Sequence, residues 1–574
     1  MTEIERIDTD ILILGTGGAG LFAALHAHRA NPDLKIAIAA KGLLGKCGCT
    51  RMVQGGYNVA LQAGDSIERH FMDTIKGGAW IPDQELAWKL VSLAPERVLE
   101  LENEVGCFFD RNADGSLHGK AFAGQTFDRT IHKGDLTGIE IINRLMEQVW
   151  SRPVEKLEEH RAVAFIRDAA GERLSGVLMI DMRTGGFRFV RAKAVLLATG
   201  GGPTMYRYHT PSGDKACDGM AMALRAGLSL RDMEMVQFHP TGLLAGKGTR
   251  LTGTVLEEGL RGAGGHLLNG DGERFMLTYD ERGERATRDI VSRSIEREIR
   301  AGKGTENGGV YIKMAHLGPE DVKKKFPGMV RRSADVGFDL ADGLVEVVPT
   351  AHYMMGGVEM DVNCFTSLPG LFVAGEDVGG VHGGNRLGGN GVANSTVYGG
   401  VAGEAMSDWL IGADDPAEPD EVAVKAEVAA CLAPFGKKPG ALHDLRENLQ
   451  DLMWDDVGIL RDADGLNRAM DRLADLEGLL DEAGLGDQGR AFNLTWHDWL
   501  NLKNQILVSR AIAAAALVRE NSRGAHYRED FPDPGSLEET TFTRVSLADG
   551  VFAANTEPVV FSRVKPGESL LSEE

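Results

Sequence analysis

His239, His352, three arginines and two adjacent glutamates stand in turn-rich stretches of this chain, and their chemistry suits a small anion. The stretches are Gln237-Phe238-His239-Pro240-Thr241-Gly242, Glu257-Glu258-Gly259-Leu260-Arg261-Gly262, Arg288-Asp289, Pro349-Thr350-Ala351-His352-Tyr353 and His382-Gly383-Gly384-Asn385-Arg386. A guanidinium presents a planar fork that matches a carboxylate and keeps its charge. Together these residues describe a pocket that clamps a carboxylate substrate. Singly, each has a plainer reading: His239 as a packed loop histidine, Arg288 with Asp289 as an ion pair at a helix start.

Positioning such groups needs a scaffold, and the opening of the chain supplies its clearest signal. Thr9 to Leu14 reads as a buried strand and runs into Gly15-Thr16-Gly17-Gly18-Ala19-Gly20 and an alanine-rich helical run. In a dinucleotide fingerprint the first glycine makes the tight turn, the second admits a pyrophosphate, and the third lets helix pack on strand. A second strand, Leu34 to Ala40, ends in Ala40-Lys41 without the acidic residue that usually grips an adenosine ribose, which favours FAD over NAD. Two further buried strands, Ala194 to Leu197 and Leu371 to Ala374, also end in glycine-bearing turns, Ala198-Thr199-Gly200 and Gly375-Glu376-Asp377. The fold class is therefore α/β: a discontinuous Rossmann-like FAD-binding domain over 1–235 and 351–413, with an inserted α+β capping domain over 236–350. Apolar spacing in Glu421 to Leu432, Leu445 to Leu460, Leu466 to Ala483 and Trp496 to Arg519 predicts a helical domain over 414–530. A segment over 531–574 follows, with short strands at Thr541 to Leu547 and Val559 to Val564.

Composition fits this picture. At 574 residues the chain has room for about three or four domains of roughly 150 residues. Its 74 glycines exceed the roughly 40 that average usage would give, as expected where backbone must approach a large cofactor. A formal net charge of -22 argues against nucleic acid as a partner. Met1 to Asp10 lacks the basic start and apolar run of a secretory signal, and no stretch reads as a membrane helix, so a cytoplasmic location is expected. Six scattered cysteines fit a reducing compartment, and their spacings make no four-ligand metal site.

In this order, these stretches resemble the succinate dehydrogenase/fumarate reductase flavoprotein family, which includes L-aspartate oxidase and thiol-linked fumarate reductase. The resemblance extends to Phe122-Ala123-Gly124-Gln125, Asp135-Leu136-Thr137-Gly138, Met453-Trp454-Asp455-Asp456-Val457-Gly458 and Asn521-Ser522-Arg523-Gly524-Ala525-His526. It implies hydride transfer between FAD and a C–C bond of a dicarboxylate, with Arg288 moving the proton and Glu258 and Arg261 relaying it. It implies a substrate held by His239, His352 and Arg386, near Phe122 and Glu257. For FAD it implies contacts from Gly15, Gly17, Gly18, Ala19, Gly20, Lys41 and Thr50, and from Gly55, Gly56, Ala198, Thr199 and Gly200. Asp218, Tyr353, Glu376, Arg386, Gly391 and Val392 complete that set. An iron–sulfur subunit would take the electrons, with a membrane anchor or a thiol- or quinone-linked subunit reached through it.

Two departures from the family pattern stand out. Respiratory members attach FAD to a histidine where this chain has Cys49, followed by Thr50 and Gly55-Gly56, so noncovalent FAD is expected. Where the family usually has threonine, this chain has Glu257, whose ionised form would cost roughly 4 kcal/mol about 4 Å from a substrate carboxylate at an effective dielectric of about 20. Glu257 either points away, is protonated, pairs with Arg250 or Arg261, or meets a substrate carrying an amine or hydroxyl. Competing functions are an L-aspartate oxidase-like enzyme, an adenylylsulfate reductase-like enzyme, and a flavin-binding assembly subunit without activity.

Overall fold

A computed structural model describes residues 3–246, 249, 251–413 and 415–571. The first strand, Ile4–Leu14, lies at the centre of a seven-stranded sheet and is parallel to Ile36–Ala40 on one side and Gly186–Leu197 on the other. Its last four residues are apolar without interruption and almost fully buried, as a parallel strand covered on both faces requires. Val154–Glu158 extends the sheet beyond Ile36–Ala40.

The long strand Gly186–Leu197 is where the sheet divides. Its end, Val195 to Leu197, pairs in parallel with Leu371–Val373. Its beginning pairs antiparallel with Leu174–Asp181, which pairs with His160–Arg167. Burial alternates along the first half and becomes continuous along the second, following the change from a half-solvated meander to a doubly covered core. The antiparallel meander went unread in the sequence.

The helix Gly18–Ala30 packs along Asn390–Trp409, whose side chains are buried almost throughout. Close approach depends on Gly399 and Gly403, where a Cβ would sit 2.5 Å from the carbonyl oxygens of Ala19 and Ala23 respectively.

A second sheet orders its strands Val236–Leu243, Leu344–Met354, Val310–Lys313 and His266–Leu268, all antiparallel. It encloses its own apolar cluster, from Leu243 to Val347, and Arg288–Glu298 packs against its first strand. The pairing of Val236–Leu243 with Leu344–Met354 brings two segments far apart in sequence side by side.

Helices Glu421–Leu432, Leu442–Asp456, Ala463–Glu482 and Leu494–Val518 follow closely the four helical stretches expected. Trp496 and Trp499 anchor the last of them, donating to the carbonyls of Cys431 at 2.8 Å and Leu480 at 2.9 Å. Among the described residues no helix is long and apolar enough to cross a membrane.

The end of the chain differs in detail from expectation. Thr541–Ala548 is a strand, but its partner is Val551–Pro558, joined through Asp549 and Gly550, both at positive φ. Val559 to Val564 forms no strand. Gln84 instead holds Val564 by both backbone groups, accepting from its N–H at 3.0 Å and donating to its carbonyl at 2.7 Å.

Candidate active site

A cavity of about 480 Å³ runs from the Gly15–Gly20 turn to the second sheet. All the residues that the sequence pointed to line it, except Gly20 and Arg261. Gly20 acts through packing: its Cβ would lie 2.0 Å from the carbonyl oxygen of Gly15. Gly15, at φ +114°, passes so close to Ala198 that a Cβ would lie 2.0 Å from that carbonyl oxygen. Gly17 is different, since its Cβ would meet only the Thr50 hydroxyl oxygen, at 3.6 Å. The middle glycine therefore faces open cavity beside the N-terminus of the helix Gly18–Ala30, where no acidic residue occupies the first turn. Thr50 steadies this turn by accepting from the Gly18 N–H at 3.0 Å. Backbone open to the cavity and a free helix N-terminus fit the pyrophosphate of a dinucleotide such as FAD.

The acidic residues near this end have distinct settings. Glu376 lines the cavity, accepts from the Met354 N–H at 3.1 Å, and is pushed by burial up to about 7. Asp218 is already fully engaged: one oxygen accepts from Arg161 at 2.8 Å and Asn504 at 2.7 Å, and the other meets Lys41 at 2.6 Å. Burial opposes its charge, yet Arg161 and Lys41 hold its carboxyl far below the usual range. Asp218 and Lys41 thus reach the cavity as halves of one ion pair. Cys49 lines the wall, and burial followed by the charge of Glu376 pushes its thiol up to about 12. That makes it a poor nucleophile towards a cofactor ring.

At the other end the arginines converge. Arg288 opens its helix and donates to Glu258 Oε2 from Nη2 at 2.6 Å and from Nε at 3.1 Å. Behind it, Arg261 donates to Glu258 Oε1 at 3.4 Å and to the Glu284 carbonyl at 2.7 Å. Gln237 Oε1 accepts from Arg288 at 2.9 Å and from Arg386 at 3.0 Å. Arg386 lies over the Tyr353 ring, 4.4 Å from its centroid. Arg288 and Arg261 thus share the Glu258 carboxylate and Arg386 joins them through Gln237, so that among these four charged groups the positive charges exceed the negative by two in a buried site. Burial opposes ionisation of Glu258, but Arg288 and Arg261 outweigh it and lower its pKa. Burial and the neighbouring Arg288 bring Arg386 down to about 10, which still leaves it charged at neutral pH.

Strand pairing brings His239 and His352 together, with ring centroids 5.4 Å apart. Burial first, then Arg288, holds both far below the ordinary histidine value, so both rings are neutral donors or acceptors. His352 Nδ1 is bonded to the Thr210 hydroxyl at 2.9 Å. Phe122 packs onto the backbone at Gly55, where a Cβ would lie 2.4 Å from its ring. Arg288 pairs across the site with Glu258, whereas Asp289 pairs with Arg293 at 3.4 Å, so the local Arg288–Asp289 pair does not form.

Glu257 also lines the cavity, 1% exposed, and among the described residues neither carboxyl oxygen has a hydrogen-bond partner. Its nearest cation among the described residues is Lys120, at 3.5 Å. Pairing with Arg261 does not occur, because that residue is committed to Glu258 and Glu284; Arg250 lies outside the described residues. Gln237, in the same stretch as His239, is the link between Arg288 and Arg386 that sequence reading passed over. Nothing in an isolated glutamine signals that it will tie two arginines together.

Comparison with known proteins places these features in context. Residues 10–392 match the family described as FAD binding domain, and residues 446–570 the one described as fumarate reductase flavoprotein C-term. The chain is 41% identical to one of the subunits of the fumarate reductase (CoM/CoB) of Methanothermobacter marburgensis, over 92% of this chain and 96% of that protein. It superposes on the quinol fumarate reductase protein FrdA of Escherichia coli with a TM-score of 0.92 and 32% identity, covering 98% of this chain and 99% of the other. Against Mycobacterium smegmatis Sdh1 the TM-score is 0.85 at 36% identity, over 97% and 94% of the two chains.

Proposed function

The chain belongs to the fumarate reductase/succinate dehydrogenase flavoprotein family, and on that premise we propose that it interconverts an unsaturated and a saturated dicarboxylate as the FAD-binding subunit of a larger assembly. It is an FAD-dependent oxidoreductase. One observation carries the substrate assignment: the buried cluster of Arg261, Arg288 and Arg386 with Glu258 holds a surplus of two positive charges, which a dicarboxylate dianion neutralises. An uncompensated cluster of that kind is costly in a low-dielectric setting, so a dianion gains more there than a monoanion.

Bound FAD would supply the hydride acceptor or donor, seated against Gly15–Gly20, Thr50 and the Gly55-Gly56 backbone. The chain's own residues do the rest. Arg386 is oriented by the Tyr353 ring and Gln237, and with neutral His239 and His352 it would hold the substrate carboxylates. Arg288 would give or take the proton, and Glu258, 2.6 Å from its Nη2, would restore it with Arg261 behind. Phe122 and the enclosed wall would exclude water. Electrons would pass to an iron–sulfur subunit, a reading supported by relatives that are named as subunits.

The test is anaerobic oxidation and reduction of the FAD-loaded protein with succinate, fumarate and aspartate, read from the flavin absorbance. Reoxidation by fumarate or bleaching by succinate supports the proposal. Bleaching by aspartate alone, with hydrogen peroxide formed on admitting oxygen, would replace it with an aspartate oxidase-like function.

A further inference from the structure

We propose that Glu257 is a specificity-determining residue that binds one end of the dicarboxylate as a protonated carboxyl, donating its O–H to a substrate carboxylate oxygen. The inference rests on the dicarboxylate reading above and adds a group to the site. Glu257 lines the same cavity as Arg288 and His352, and both its oxygens lack hydrogen-bond partners among the described residues although it is 1% exposed. A buried polar group without a partner is costly, so one facing a ligand cavity implies a ligand group that completes it.

The surroundings decide which form is present. Among the described residues Lys120 is the cation that approaches it, at 3.5 Å, a long and weak contact, and its ammonium also donates to the Gly134 carbonyl at 2.8 Å. From the loop before the helix Thr137–Trp150 comes the negative Asp135, with an oxygen likewise unpartnered, and Glu258 adjoins in sequence. Pro327–Ala334 contributes the Met329 sulfur, against the Glu257 N–H, and Arg332, which donates to the Val255 carbonyl at 3.0 Å. Burial raises the carboxyl most; Lys120 opposes it, Asp135 and then Glu258 add to the rise, and the net effect is a pKa above the ordinary value. An acid-to-carboxylate O–H···O bond is among the stronger hydrogen bonds available to a side chain. The like-charge conflict at this position becomes a contact, and no second substituent on the substrate is needed.

Because only the neutral form binds, substrate binding takes up a proton once pH exceeds the pKa of Glu257 in the free enzyme. The fumarate KM, and the succinate Kd read from perturbation of the flavin spectrum, then rise with pH by up to about tenfold per unit. The experiment measures both on FAD-loaded enzyme across neutral and mildly alkaline pH. E257Q, a donor that does not titrate, is expected to flatten the rise. D135N removes a nearby negative charge, so the rise should begin at lower pH. A wild-type affinity independent of pH, or a rise that E257Q leaves in place, overturns the proposal. So does turnover confined to 2-amino or 2-hydroxy diacids, which would make Glu257 a charged acceptor. Absence of turnover with every acid would refute the dicarboxylate reading instead, while the succinate-induced spectral change still reports on Glu257.

Discussion

Replacing Gln237 separates the two arginines that its side-chain oxygen ties together. In Q237L the acceptor shared by Arg288 at 2.9 Å and Arg386 at 3.0 Å disappears, and so do the donations to Asn385 and to the Arg386 carbonyl, both 2.8 Å. The two guanidinium nitrogens lie at most about 6 Å apart, where like charges repel by about 3 kcal/mol at an effective dielectric of about 20. Each lost hydrogen bond from a charged donor is worth about 1.5–3 kcal/mol, partly recovered when substrate bridges the arginines. We expect kcat/KM for fumarate to fall roughly a hundredfold, about 3 kcal/mol. Most of the loss should appear in kcat, because Arg288 keeps its bonds to Glu258 but is no longer held in line with Arg386. Q237E separates charge from geometry: it keeps an acceptor in place and cuts the positive surplus from two charges to one. Its KM should rise roughly a hundredfold on the same Coulomb scale, with a smaller change in kcat. Steady-state fumarate reduction by FAD-loaded protein gives both constants. A Q237L variant within threefold of wild-type kcat/KM, or a Q237E variant with wild-type KM, would refute the bridging role and the charge argument respectively.

Two further outcomes follow from the cofactor end. Gly15→Ala forces a Cβ to within 2.0 Å of the Ala198 carbonyl oxygen and onto a φ of +114°, so the variant should purify largely without flavin, measured as FAD per chain; full FAD content would count against the turn as the cofactor's seat. Acid denaturation of the wild-type protein should release all of its FAD into the supernatant, because Cys49 is a thiol pushed up to about 12 and no histidine stands at its position; flavin remaining with the precipitated chain would show a covalent bond instead.

Much of this protein was legible in its residues because the relevant signals are local. The strand, glycine turn and helix at Thr9 to Gly20 follow from hydrophobic patterning and the steric demands of Gly15 and Gly20. The four late helices follow from apolar spacing. The Asp549-Gly550 turn was also a local signal, since that pair favours two successive positive φ values, yet the weak alternation after Pro558 placed the second strand too late, beyond Pro558 instead of directly after the turn. Residue type together with the family resemblance nominated His239, Glu258, Arg288, His352 and Arg386. What the sequence does not encode is which charges face one another. Long-range pairing of Val236–Leu243 with Leu344–Met354 decides that the two histidines meet, and the helix beginning at Arg288 decides that this arginine turns to Glu258 rather than Asp289. The role of Gln237 as a common acceptor, the tying of Asp218 to Lys41 and Arg161, and the unpartnered carboxyl of Glu257 all depend on burial and on neighbours remote in sequence. Electrostatic energies fall off with distance and grow as water is excluded, and both quantities exist only once the chain has folded.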